Sequence, residues 1–288
     1  MTSTLQQQQQ QSSQDEFNLP QTSDMIEDRD LKFISDYLKE SDKDALRQHV
    51  FKVWSDCITT AHAYRCIKSL SFLYPKIHRH YIYEKEIAQS SAKSSLQFLD
   101  LGCCFATDTR QLVRDGVPPS NIVAIDVVPD YWQFGTKLYK DADTLGVESR
   151  FGNTISDQSF ASDLNNTRDY VWTGLVLHVL TKQDVEGLLR RVYGFLKSGG
   201  TYFGTCVGSE VEQVWIPNTS SSPRYLHSDV SLTALLTTLG FKDVKVQSYD
   251  SKELQMSLRQ QNAAQTQILE WKADGNIQKR ILVFSAKK

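Results

Sequence analysis

The sequence predicts a doubly wound α/β fold, with a parallel sheet, an antiparallel last strand and an N-terminal helical cap. Two observations predict it. From residue 94 onward, short apolar runs ended by glycine or by an acid alternate with amphipathic stretches of helical spacing. The chain then closes on two apolar runs, Ile268–Trp271 and Ile281–Phe284, joined through Asp274–Gly275, which reads as an antiparallel ending. At 288 residues and 40% apolar composition, the chain can bury the core of one large domain with an added cap. The expected boundaries are a disordered tail over residues 1–25, a helical cap over 26–93 and the sheet domain over 94–288.

The tail holds the run Gln6–Gln11 and too few apolar residues to offset its ordering entropy. Ile26–Thr59 shows helical spacing, first at Leu31, Ile34 and Leu38 and then at Val50, Val53, Trp54 and Cys57. These helices precede the first strand, so they are expected across the mouth of the sheet. Tyr64–Ile87 continues the cap with Tyr64, Phe72, Tyr74, Tyr81 and Tyr83, which suit either a pocket wall or a packed layer; His78 and His80 read as surface or packing residues.

The centre of the pattern is LQFLDLGCCFATDTRQL, Leu96–Leu112. Leu96, Phe98, Leu99 and Leu101 make a buried parallel strand, Gly102 ends it, and the pair Thr107–Asp108 is expected to cap the helix that follows. A strand, a tight turn and a helix N-terminus bring backbone N–H groups together as a cofactor cradle. The second run, Ile122–Ile125, ends in Asp126, whose carboxylate at a strand tip can accept both hydroxyls of a ribose. A pyrophosphate cradle needs three spaced glycines, and here Gly102 stands alone before Cys103, Cys104, Phe105 and Ala106. Asp100 beside the turn would repel a pyrophosphate and attract an ammonium group, such as that of the methionine end of S-adenosylmethionine.

Further along come a helix over Tyr131–Asp143 and a weak strand near Ser149–Gly152, ended by Asn153. The Asn153 amide fits an adenine amine or a plain turn equally well. Asp169–Thr173 is the fourth strand, and Gly174–Leu180 then carries His178 over the carboxyl edge of the sheet, where function is the better reading. A helix over Gln183–Leu196 is expected to stop at Gly199–Gly200, and the fifth strand is Thr201–Val207. Trp215–His227 reads as a loop carrying Trp215 and Arg224 toward a substrate. Ser228–Leu239 is a helix closed by Gly240, Val244–Ser248 is a strand, and Lys252–Ala264 is polar and unassigned.

Composition sets limits on partners. A formal net charge of −2 argues against an electrostatic grip on nucleic acid, and no apolar stretch approaches the length of a membrane helix. The five cysteines show no metal spacing, so no metal is expected, and their odd number fits a reducing, cytoplasmic compartment. A homodimer is left open.

With these residues in place, the chain resembles a class I S-adenosylmethionine-dependent methyltransferase, and within that class the fungal methyltransferases of meroterpenoid and related secondary metabolism. The segments that carry the resemblance are Cys66–Tyr83, Phe98–Pro118, Ile125–Asp141, Leu177–Leu180 and Gly200–Gly208. The resemblance implies a Rossmann-like methyltransferase sheet and S-adenosylmethionine as cofactor. It places Asp100, Gly102 and Cys104 at the methionine end, Asp126 and Val127 at the ribose and adenine, and Asn153 and Thr154 at the adenine edge. The family usually has glycine where Ala106 stands, and arginine–glutamine where Thr205–Cys206 stand. The implied reaction is methylation of an oxygen on a small polyketide-terpenoid acceptor, a carboxylate ahead of a hydroxyl, with His178 as candidate catalytic group. A macromolecule methyltransferase and a non-catalytic cofactor-binding protein are the alternatives.

Overall fold

A computed structural model describes residues 19–61, 64–216, 222–250 and 278–288. In chain order the main elements are α1 (Lys32–Leu38), α2 (Lys43–Thr60), β1 (Phe98–Leu101), α3 (Thr107–Arg114), β2 (Ile122–Asp126), α4 (Pro129–Tyr139), β3 (Glu148–Phe151), β4 (Arg168–Gly174), α5 (Lys182–Phe195), β5 (Leu196–Ser209), β6 (Gln213–Trp215), β7 (Arg224–Leu226), α6 (Asp229–Thr238), β8 (Lys242–Asp250) and β9 (Lys279–Lys287).

Seven strands form one sheet in the order β3-β2-β1-β4-β5-β9-β8. Strands β1 to β5 are parallel, and β9 runs antiparallel between β5 and β8. Every residue of β1 and β2 is buried, as expected of central parallel strands covered on both faces. The strand order reverses direction between β1 and β4, and in such sheets a crevice opens outside the carboxyl ends of the strands at that point.

One face of the sheet is covered by α5 and α6, through Val185, Leu188, Leu189, Val192, Leu232 and Leu236. On the other side the N-terminal helices pack against α4: Phe33, Ile34, Val50, Val53 and Trp54 share a core with Phe105, Tyr131, Phe134 and Leu138. Trp54 is buried and donates its indole N–H to the Ile67 carbonyl at 3.0 Å. Losing so large a buried ring costs about 3–5 kcal/mol, so this contact does much to hold the cap.

Residues Tyr64–Ile87 divide between two tasks. The stretch up to Lys76 lies against the loop after β1, while Ile77, Ile82, Tyr83 and Ile87 pack under the sheet with Phe98, Trp172 and Phe203. His80 is a packing residue: it is buried, its Nε2 is 3.0 Å from the Phe284 carbonyl oxygen, and its ring meets Trp172 and Phe203 edge-on.

Several local expectations are corrected. The helix before β5 does not stop at Gly199–Gly200. It ends at Phe195, and β5 begins at Leu196 because the chain extends at once to pair Leu196 with Arg168. Gly199, with φ +79°, instead lies within β5, where its N–H donates to the Lys288 carbonyl at 2.9 Å. Trp215–His227 is not simply a loop, since β6 and β7 form an antiparallel pair within it. Its ends pair because Tyr225 and Leu226 have an apolar floor to bury against. The final β9 strand is antiparallel as expected, whereas Ile268–Trp271 and the tail up to residue 18 lie outside the described residues.

Candidate functional site

A cavity of about 360 Å³ opens at the carboxyl ends of β1, β2 and β4. Asp100, Gly102, Cys104, Asp126, Val127, Asn153, Thr154 and His178 all line it, although they come from four separate stretches of chain. The parallel register brings them together, since Leu101 pairs with Ile125 and Asp100 with Trp172, so the strand ends finish level.

The turn after β1 is built on left-handed backbone. Gly102 has φ +81°, Cys104 +51° and Ala106 +55°. A side chain at Gly102 would also come within 2.4 Å of Val176 Cγ2, so this position needs glycine twice over. Ala106 occupies a conformation that glycine adopts more cheaply. Part of the turn's amides are spent within the protein. Gly102 and Cys103 both donate to the Ile125 carbonyl at 2.8 and 3.1 Å, and Cys104 N–H donates to Asp126 Oδ2 at 2.8 Å. The second strand takes up these three donors, whereas the N–H groups that open the helix after the turn receive no side-chain cap.

The expected cap on α3 is also corrected. The N-cap residue is Ala106, and no side chain caps it. Thr107 donates its hydroxyl to the Phe72 carbonyl instead. Asp108 accepts from the N–H groups of Lys76 and Ile77 with one oxygen, and from Trp172 Nε1 at 3.1 Å with the other. Both side chains face buried groups of the cap segment, which outcompete the exposed first turn of the helix. Asp108 is therefore the pin between cap and sheet. Its role was not read from the sequence, because its three partners lie 31 to 64 residues away.

Two buried carboxyls give the site its charge. Asp100 is 2% exposed and accepts from the Thr109 hydroxyl at 2.6 Å. Burial, helped by the nearby charge of Asp108, pushes its carboxyl up to about 7. Asp126 is held by Cys104 N–H at 2.8 Å and Val128 N–H at 3.0 Å; burial raises it as well, against those backbone donors. Val127, 55% exposed, forms part of the cavity rim. Asn153, a cavity-lining residue, uses its Oδ1 to accept from Ile155 and Ser156 N–H, at 2.9 and 3.2 Å, so its oxygen serves the turn. Thr154 is buried beside it.

The far side of the cavity is less polar. Leu175, Val176, Val179, Leu180, Val207 and Ile281 line it with Tyr64, Trp215 and Arg224. His178 is buried there, and its Nδ1 accepts a long hydrogen bond from Val207 N–H at 3.5 Å. Cys66 and Cys104 also line the cavity; the hydrogen bond between them lowers the Cys66 thiol and raises that of Cys104. No group of side chains among the described residues could hold a metal ion. No described helix is long and apolar enough to cross a membrane.

Comparison with known proteins agrees with this geometry. A methyltransferase domain model matches residues 98–200, which span β1 to the start of β5. An O-methyltransferase of Stereocaulon alpinum is 30% identical over 207 residues, covering 68% of this chain and 58% of that protein. A methyltransferase of Penicillium rubens is 28% identical over 180 residues, covering 61% of this chain and 64% of its own length. The chain thus spans about three fifths of these relatives. Among solved structures, phosphoethanolamine N-methyltransferase 2 of Haemonchus contortus, in complex with S-adenosyl-L-methionine, superposes with a TM-score of 0.54 at 14% identity, over 88% of this chain and 60% of that one. That likeness is one of fold. With the sheet order, the acid-ended strands and the matched domain together, the chain belongs to the class I S-adenosylmethionine-dependent methyltransferase family.

Proposed function

We propose that this protein transfers the methyl group of S-adenosylmethionine to an oxygen of a small secondary metabolite of meroterpenoid or polyketide type, a carboxylate in preference to a hydroxyl. The observation that carries the proposal is one cavity that is lined both by the carboxyls of Asp100 and Asp126 and by apolar residues such as Leu175, Val176, Val179 and Leu180. In this reading Asp126 receives the ribose hydroxyls, Asp100 faces the ammonium of the methionine end beside Gly102 and Cys104, and Val127, Asn153 and Thr154 flank the adenine. The oxygen acceptor is supported by the O-methyltransferase among the relatives.

Methyl transfer is an in-line displacement at a sulfonium carbon, and the protein's main task is to hold nucleophile and methyl in near-attack geometry. The chain's residues act here by position. Tyr64, Phe72 and Val176 close apolar surface around the reacting centre, which keeps water from the sulfonium. A carboxylate is ionised at neutral pH and needs no base. His178, buried in the cavity lining, is placed in this reading to orient the acceptor oxygen.

The test is turnover against pH for wild type and His178→Gln, with the chemical step limiting. The expected profile is flat above neutral pH, with a modest loss in the variant. A limb rising through one ionisation near neutrality in the wild type and absent from the variant, with a loss of about 10²–10⁴-fold, would overturn the carboxylate preference in favour of base-assisted hydroxyl methylation.

A further inference from the structure

We propose that Arg224 selects the acceptor, its guanidinium clamping the substrate carboxylate beside the face of Trp215. The proposal rests on the methyltransferase reading and deepens it.

Arg224 and Trp215 are direct partners in the β6–β7 register, and the guanidinium carbon lies 5.8 Å from the Trp215 ring centroid. Both line the cavity, together with His178 and Ile281. The hairpin that carries them is anchored. Tyr225 N–H donates to the Leu180 carbonyl at 2.9 Å, Ser209 N–H donates to the His227 carbonyl at 2.9 Å, and the Tyr225 hydroxyl bonds to Glu212. Leu226 is buried beneath it with Val207 and Ile281. The backbone that carries Arg224 is therefore anchored to the sheet domain.

Arg224 has no counter-ion: among the described residues no carboxylate pairs with it. Its burial disfavours the charge, and the phenol of Tyr64 is the group set against it. Across the cavity, Asp100, Asp108 and Asp126 make the other end acidic. One cavity thus has a negative end, which suits a cationic cofactor, and a positive end, which suits an anionic acceptor. A guanidinium fork matches a carboxylate with two parallel hydrogen bonds, and the adjacent indole keeps the fork in plane. A neutral hydroxyl acceptor would leave the half-buried charge uncompensated, which is a strong basis for discrimination.

The reaction itself then drives release. A lone pair on one carboxylate oxygen forms the new O–CH₃ bond, and the S–CH₃ bond breaks with its electron pair passing to sulfur. Anion and sulfonium become a neutral ester and a neutral thioether, so Arg224 loses its partner when the product forms.

The test uses the full chain saturated with S-adenosylhomocysteine and titrated by calorimetry with benzoate, 2,4-dihydroxybenzoate and abietate, each beside its methyl ester. In the wild type at least one acid is expected to bind about tenfold to hundredfold tighter than its ester. Arg224→Gln is expected to abolish that preference while keeping cofactor affinity, and Arg224→Lys to restore only part of it, since an ammonium cannot form the fork. Equal binding of every acid and its ester in the wild type, or an acid preference that survives in Arg224→Gln, would overturn the assignment. If the wild type fails to bind S-adenosylhomocysteine at all, the methyltransferase reading fails first, and that result is visible before any acid is added.

Discussion

Replacing Asp100 by asparagine should make the empty protein more stable and the site useless. The carboxyl is 2% exposed, accepts one hydrogen bond from Thr109 and shares its surroundings with Asp108 and Asp126. Its ordinary value of 3.8 rises to about 7 in the folded chain. The folded state therefore keeps a proton that the unfolded state has already released. Stability from this group is fully present below about pH 4 and is lost as pH rises toward 7. At about 1.4 kcal/mol per unit, the full displacement corresponds to on the order of 4 kcal/mol, an upper bound for a group with charged neighbours. Asp100→Asn keeps the shape and an acceptor for Thr109 but carries no charge. At pH 8 it is expected to gain about 1–3 kcal/mol, or several degrees in melting temperature. At pH 5, where only the unfolded carboxyl is ionised, the gain should be less than half as large, and below about pH 4 it should vanish.

Binding should move the opposite way. A cationic ligand favours the carboxylate, so cofactor affinity of the wild type should strengthen from pH 6 to pH 8 and then level off. In Asp100→Asn that pH dependence should disappear, and affinity should fall at least about tenfold at pH 8. Thermal unfolding and calorimetry with S-adenosylmethionine at each pH decide the matter. A variant that is less stable than wild type at pH 8, or that binds the cofactor unchanged, would refute the assignment of Asp100 as a buried charge awaiting a cation.

Three further outcomes are expected. Asp126→Ala removes an acceptor for ribose hydroxyls worth about 1.5–3 kcal/mol, so calorimetry should show cofactor affinity at least about tenfold weaker in a variant that still folds. Ala106→Gly relieves a residue at φ +55° and ψ +38°; despite the loss of a buried methyl, denaturant unfolding should show a net change of no more than about 1 kcal/mol, against the clear destabilisation expected of glycine in an ordinary helical position. Asp108→Ala orphans Lys76 N–H, Ile77 N–H and Trp172 Nε1 at once and should cost about 3 kcal/mol or more, with protease cutting the cap segment before the sheet domain is lost.

The sheet and most of its helices were legible in the chain because they follow from local pattern. Short, β-branched apolar runs such as Ile122–Ile125 read as buried strands, and the helix over Lys182–Phe195 repeats its apolar residues at the helical period. The acids at strand tips were legible for the same reason: once the strands are placed, their ends are placed, and Asp100, Asp126 and His178 meet at one edge. What the sequence could not decide was the destination of groups with a choice of partners. Thr107 and Asp108 could cap a helix or hold a distant segment, and the cap segment's buried donors took them. Asn153 could read a base or close a turn, and its oxygen closed the turn. Trp215 and Arg224 lie nine positions apart in what reads as a polar loop, and only a pairing over a buried floor sets them side by side. Local periodicity carries information over a few residues; hydrogen-bond competition and burial are settled between segments tens of residues apart, after the tertiary structure has brought the rivals together.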